Sequence, residues 1–208
     1  MVVTSGLLHR LQDQGLRDVV ELEFTGRKAL VQDYLIGWNR TYHGERPILI
    51  PQIAYLTNDS WEEVSCTAGA SGYPLLHSAQ YASGTLYVLT IPDNFSDLYC
   101  LPAEVLTHMR GLLMKDWSIY IEAPAQVALF AYDNDTFIME SFLPASTPVK
   151  LVCLEKFQPV YDVLSGECLV GEVVKDWRGA STGRLSYTLD LPPHSYRIFR
   201  LKMPAGSN

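Results

Sequence analysis

Two tight acidic groupings, Glu62-Glu63 and Asp133-Asn134-Asp135, are where the sequence comes nearest to hydrolytic chemistry. Glycoside hydrolysis needs two carboxyl groups about 5–10 Å apart around one bond, one to protonate the leaving oxygen and one to act as base or nucleophile. Adjacent residues on a strand project to opposite faces, so an extended Glu62-Glu63 cannot converge on one substrate and reads as a solvated edge. Asp133-Asn134-Asp135 opens like a calcium loop. Its sixth position, however, is Ile138 where such loops turn on glycine, and its twelfth is Pro144 where glutamate closes the coordination shell. It reads as a hairpin turn. Gly69-Ala70-Ser71-Gly72 falls one residue short of the nucleophile elbow G-x-S-x-G. The five histidines, His9, His43, His77, His108 and His194, include no i,i+4 pair for a helical zinc site and read as surface or satisfied core residues. Cys66, Cys100, Cys153 and Cys168 lack zinc-ligand spacing and read as reduced core thiols. No glycine-rich phosphate loop is present. No catalytic residue, metal ligand or cofactor is assigned.

Binding has better material. Aromatic faces suit the apolar side of a sugar ring as well as they suit a core, and the chain carries Trp38, Trp61, Trp117, Trp177 and 12 tyrosines. Two loops place polar groups beside an aromatic just after an apolar strand: Asn58-Asp59-Ser60-Trp61 and Asp93-Asn94-Phe95. Asn58, Asp59, Trp61, Asp93 and Asn94 are therefore the candidate ligand-facing residues, with carbohydrate as the ligand class.

The elements that must position these loops divide near residue 115. In 1–115, Val2-Val3-Thr4 reads as a strand stub and Ser5 as the cap of a short helix ending at Gly15. Apolar runs at 19–24, 29–36 and 48–56 read as strands. The continuous run Gly84–Ile91 reads as a strand covered on both faces, as in an α/β sheet. A helix follows, with Pro102 in its first turn and Val105, Leu106, Met109, Leu112 and Leu113 at helical spacing. In 116–208 the pattern changes to eight short strands, at 118–122, 127–132, 137–142, 149–154, 160–164, 168–174, 185–191 and 196–201, the signature of an antiparallel β-sandwich. The expected class is α+β overall, a partial α/β unit followed by a sandwich. The chain has 208 residues and a formal charge of −7, with no basic cluster, no apolar run of membrane-spanning length and no secretory signal. A soluble cytoplasmic protein without nucleic-acid or membrane partners is expected.

The segment from Gly72 to Thr90, with small and apolar residues, a tyrosine, Gly84 and a β-run leading to a helix, resembles the end of the amidotransferase-like trimerisation domain of bacterial β-galactosidases. Phe130–Thr136, Asp162-Val163-Leu164-Ser165-Gly166-Glu167 and Leu191–Leu201 resemble the small carboxy-terminal β-sandwich of many glycoside hydrolases. The resemblance implies a flavodoxin-like first unit, a non-catalytic accessory and oligomerisation role in carbohydrate metabolism, and an upstream TIM barrel or a second copy as partner. The catalytic carboxylates of such enzymes sit on barrel strands, which this chain lacks. A free-standing carbohydrate-binding module is the alternative, followed by a self-contained glycosidase.

Overall fold

The structure, a computed structural model, describes residues 1–37, 39–57 and 61–201. It forms two compact units, Met1–Met109 and Arg110–Asn208. Among the described residues no helix is long and apolar enough to cross a membrane.

The amino-terminal unit opens with β1 (Val2–Thr4), α1 (Ser5–Leu11) and α2 (Leu16–Val20). Then come β2 (Leu22–Ile36), β3 (Arg40–Tyr55), β4 (Trp61–Ala68), β5 (Ser71–Tyr81) and β6 (Gly84–Leu89), a 3-10 segment at Phe95–Cys100, and α3 (Ala103–Leu113). One sheet runs β1-β6-β5-β4-β2-β3. Only β1 and β6 pair in parallel; the other junctions are antiparallel hairpins or meanders. The parallel sheet of a flavodoxin-like unit is therefore not what these residues build. The run at 84–91 misleads because two-sided burial leaves the same sequence trace whichever way the neighbouring strands point. Leu8 of α1 and Val20 of α2 pack with Leu86 and Val88 of β6 in one core, joined by Leu22 and Ile53. Two local expectations also shift. Val19 and Val20 close α2 instead of opening a strand. Ser5 makes no cap; its buried Oγ accepts from the Ile91 N–H at 3.0 Å and ties α1 to the end of β6. Gly69-Ala70 is a two-residue turn between β4 and β5, with Ala68 opposite Ser71 and Gly69 at φ +61°. That disposes of the nucleophile elbow.

The carboxy-terminal unit is a sandwich made from β7 (Ile119–Glu122), β8 (Val127–Ala131), β9 (Thr136–Ser141), β10 (Thr147–Leu154), β11 (Val160–Asp162), β12 (Cys168–Leu169), β13 (Glu172–Lys175), β14 (Ser181–Leu191) and β15 (Ser195–Leu201). Its sheets run β13-β14-β10-β7 and β12-β11-β15-β9-β8, all antiparallel. Alternate residues point inward. Phe137 and Met139 of β9 meet Phe199 of β15, Leu151 and Cys153 of β10 and Tyr187 of β14 in one core. The Phe137 and Phe199 rings stack at 5.0 Å. The expected strand at 168–174 is two strands. It breaks where Gly171 lies against Tyr187 so closely that a Cβ would sit 2.8 Å from the ring.

Candidate functional site

The sequence candidates do not form one group. Asn58 and Asp59 lie outside the described residues. Trp61 opens β4, its backbone opposite Ser78 of β5. Asp93 and Asn94 follow β6 in a strap that crosses to β3. The Asp93 N–H donates to the Leu49 carbonyl at 3.0 Å, and its carboxylate pairs with Lys28. Asn94 caps the 3-10 segment: its Oδ1 accepts from the Ser96 N–H, and its amide donates to Asp97 Oδ1 at 3.3 Å. Arg46 of β3 completes the strap, donating from Nη2 to Asp97 at 2.8 Å and from Nε to Cys100 Sγ at 3.1 Å. Held by Asp97 and the cysteine sulfur, the Arg46 guanidinium has its pKa raised, the Cys100 hydrogen bond being the largest cause. Both loop residues thus hold the strap on the sheet.

Glu62 and Glu63 do face opposite ways. Glu63 accepts from Ser78 Oγ at 2.7 Å, on the side where it also faces His108. Glu62 accepts from Ser65 Oγ and lies directly opposite His77 in the β4–β5 register. A bulge between Glu62 and Val64 re-aims the pair. The two carboxylates are thus engaged by different neighbours, Glu62 by Ser65 and Glu63 by Ser78. The aspartates at 133 and 135 sit in the β8–β9 hairpin, where Asn134 Oδ1 accepts from the Thr136 N–H and Asp135 adopts φ +62°. Among the described residues no group of three or more His, Cys, Asp or Glu side chains could hold a metal ion.

What the sequence reading missed lies beneath Glu62. His77 is a core histidine, as expected, but it is not a satisfied one: it is fully buried, and neither ring nitrogen has a hydrogen-bond partner in the protein. The Val20 carbonyl lies beside the ring without hydrogen-bonding geometry. Burial lowers the His77 pKa and outweighs the opposing influence of Val20, Glu62 and Glu21, so the imidazole is neutral near pH 7. The Tyr55 ring stands 5.7 Å from it, tilted by 48°, with its buried hydroxyl beside Ser65 and Glu62. Burial, and then the Glu62 charge, raise the Tyr55 pKa well above the ordinary tyrosine range. Tyr55, Glu62, Ser65 and His77 come from β3, β4 and β5. The signal available in the sequence was an ionisable residue inside the apolar run Leu75-Leu76-His77-Ser78-Ala79.

In the sandwich the charged groups do structural work. Asp162, at the end of β11, accepts from the N–H groups of Leu164 (2.9 Å) and Ser165 (3.0 Å) and from Arg197 Nε and Nη2, both at 2.7 Å. Burial alone would raise its pKa. The Ser165 N–H, the Arg197 hydrogen bond, the Leu164 N–H and the Arg197 charge together overcome this and hold it below the usual carboxylate range. The turn ends on Gly166 at φ +73°, with its N–H on the Asp162 carbonyl. The Asp-x-Leu-x-Gly-Glu motif is thus a fold-forming turn.

Against known proteins, no curated sequence and no solved structure matches the chain. Residues 118–201, which run from just before β7 to the end of β15, match the family described as probable glycosyl hydrolase, C-terminal domain.

Proposed function

We propose that this chain is a non-catalytic accessory region of a glycoside-hydrolase-like protein, with 1–115 mediating association and 116–208 serving as a structural tail. The match over residues 118–201 carries the reading. Its support from geometry is that the motif residues of the sandwich, Asp162 and Gly166, are spent on a turn, and that Glu62 and Glu63 serve opposite faces of their strand. For association, Leu30 of β2 and Leu49 of β3 stand side by side in register, both exposed. An exposed apolar pair on an edge strand and its neighbour is a natural contact for a second copy or for an upstream barrel domain.

Sedimentation velocity of the full chain over a wide concentration range, beside an assay for turnover of aryl glycosides, tests both halves. The reading expects concentration-dependent self-association, weakened by Leu30→Glu, and no turnover. A monomer at every concentration removes the association role. Turnover that survives repurification and is abolished by one Asp or Glu substitution replaces the accessory reading with an enzyme. Retention on a glycan array through Asn58, Asp59, Trp61, Asp93 or Asn94 replaces it with a carbohydrate-binding module.

A further inference from the structure

An antiparallel sandwich that stands alone turns apolar residues inward and polar residues outward on both of its sheets. One of the two sheets comes near that rule. On β7, β10 and β14 the outward positions set Tyr120 and Val152 among Glu122, Lys150, Ser186 and Thr188, with Lys150 paired to Glu122. The other sheet breaks it. With Val127, Phe137, Met139 and Phe199 in the core, the alternate residues of β8, β9 and β15 face out. The register lays Phe130, Ile138 and Ile198 in one outward row, and Val163, whose N–H donates to the Ile198 carbonyl, extends it past the end of β11. Phe130 and Val163 at the ends of the row are exposed, as is Tyr196 beside it, and the two isoleucines are half-buried. A contiguous apolar row on the solvent side of a sheet marks an interaction surface.

The charges that flank the row specify what covers it. Glu140 lies opposite Tyr196 at one end of the face and Arg200 opposite Thr136 at the other, about 14 Å apart along the strands. Among the described residues the sandwich's ion pairs are Lys150 with Glu122 and Arg197 with Asp162 and Glu167, and neither Glu140 nor Arg200 enters one. A contact between two copies of one chain is ordinarily two-fold, so that the patch meets itself. With the axis along the row from Phe130 to Ile198, position across the strands is kept and direction along them is reversed. Ile138 then meets Ile138, and Ile198 meets Ile198. The end of each face that carries Glu140 and Tyr196 comes over the end of the other that carries Thr136 and Arg200. The dimer so formed has two Glu140–Arg200 ion pairs, and each Arg200 stands against a Tyr196 ring. An unrelated partner has no need of opposite charges placed symmetrically about an apolar row.

We infer that the outer face of β8, β9 and β15 is a self-association surface, which joins two copies of this chain through their sandwiches. It is separate from the contact proposed for Leu30 and Leu49 and stands whether or not that contact forms.

Sedimentation equilibrium of the full chain carrying Leu30→Glu reads this contact alone. A dimer is expected at concentrations up to about 1 mM, the weak end of the affinity scale. Adding Glu140→Arg or Arg200→Glu singly should weaken it at least ~10-fold, because the symmetry sets two like-charge pairs in each dimer. Exchanging the charges, Glu140→Arg together with Arg200→Glu, rebuilds both pairs and should restore the dimer. Ile138→Lys, at the centre of the row, should abolish it. These positions face solvent, and the melting temperature of each variant checks that it is folded; the charge exchange carries the test if Ile138→Lys does not fold. A Leu30→Glu chain that stays monomeric to about 1 mM overturns the inference. So does a dimer that folded Ile138→Lys or both single reversals leave intact, or a charge exchange that fails to restore what each reversal removed. None of these results bears on Leu30 and Leu49, whose contact is read by comparing the wild type with Leu30→Glu.

Discussion

Replacing Asp162 with alanine should cost the sandwich more than any other single carboxylate removal. The side chain is 4% exposed and accepts four hydrogen bonds, two from backbone N–H groups and two from Arg197, which is itself 25% exposed. Breaking a buried ion pair by deleting one partner costs roughly 3–5 kcal/mol because the survivor is left uncompensated. Here Glu167 remains 3.8 Å from Arg197 Nη2, but it is mostly exposed and gives weak relief. The estimate for Asp162→Ala is therefore the lower part of that range, about 3–4 kcal/mol. Asp162→Asn keeps Oδ1 for Leu164 and Ser165 but replaces the Oδ2 that accepts from Arg197 with an NH2 donor, so it spares the turn and loses the ion pair with both Arg197 hydrogen bonds; about 2–3 kcal/mol is expected. Native-state hydrogen exchange at the Leu151 and Phe199 amides reads the stability of the sandwich separately from the rest of the chain. A double-mutant cycle with Arg197→Met should return a coupling of about 1–3 kcal/mol. Because the folded pKa of Asp162 lies below its unfolded value, the difference between wild type and Asp162→Asn is full above about pH 4 and shrinks as the pH falls through the folded value. A cost under about 1 kcal/mol for the alanine variant would refute the account of the turn.

Other expectations follow from burial. Cys66 and Cys153 are fully buried, their thiol pKa values pushed up to about 12 and about 11, whereas Cys168 is exposed and Cys100 partly so. An aromatic disulfide reagent should titrate two thiols in the native protein and four after denaturation. Gly171→Ala places a methyl group 2.8 Å from the Tyr187 ring and should lower stability by about 1–3 kcal/mol in urea denaturation. The lowered pKa of His77, which faces Glu62 and Glu21, means the unfolded chain binds the extra proton first. Its contribution to stability is complete above about pH 6.5 and declines below it, by up to about 1.4 kcal/mol per pH unit. Denaturation between pH 7 and 5 should show this slope, reduced in His77→Leu.

The sandwich was legible because its strands are short and one-sided. Thr136–Ser141 alternates half-buried and buried without a break, and the turns between strands carry Asn, Asp and Gly where the chain needs left-handed dihedrals. Strand positions could be read from that pattern, but not the interruption at Gly171, which depends on a tyrosine from another strand. In the amino-terminal unit the same rules found β1, α3 and the apolar cores of β2 and β3. They failed on direction, since hydrophobicity records burial and not the sense of the neighbouring strand. The cluster at His77 was illegible for a related reason. Glu62 and His77 meet only through the β4–β5 register, and Tyr55 only through the path of β3. No local spacing encodes that meeting, and only the lone histidine among apolar residues marked the place.

The single parallel ladder has a consequence for how the chain acquires its shape. The Ser5–Ile91 hydrogen bond joins residues 86 positions apart, and β1 has no strand partner nearer than β6. Pairs such as β2–β3 and β4–β5, by contrast, join consecutive segments and can close as soon as each is made. On a ribosome adding about 5–20 residues per second, the first strand waits on the order of ten seconds for its mate. Through that interval Val3 and Leu8 lack the cover that Leu86 and Val88 later provide. The amino-terminal unit is thus a meander that assembles progressively and is locked when β1 docks on β6. Substitutions in β1 should slow the completion of folding while leaving the hairpins that precede it intact.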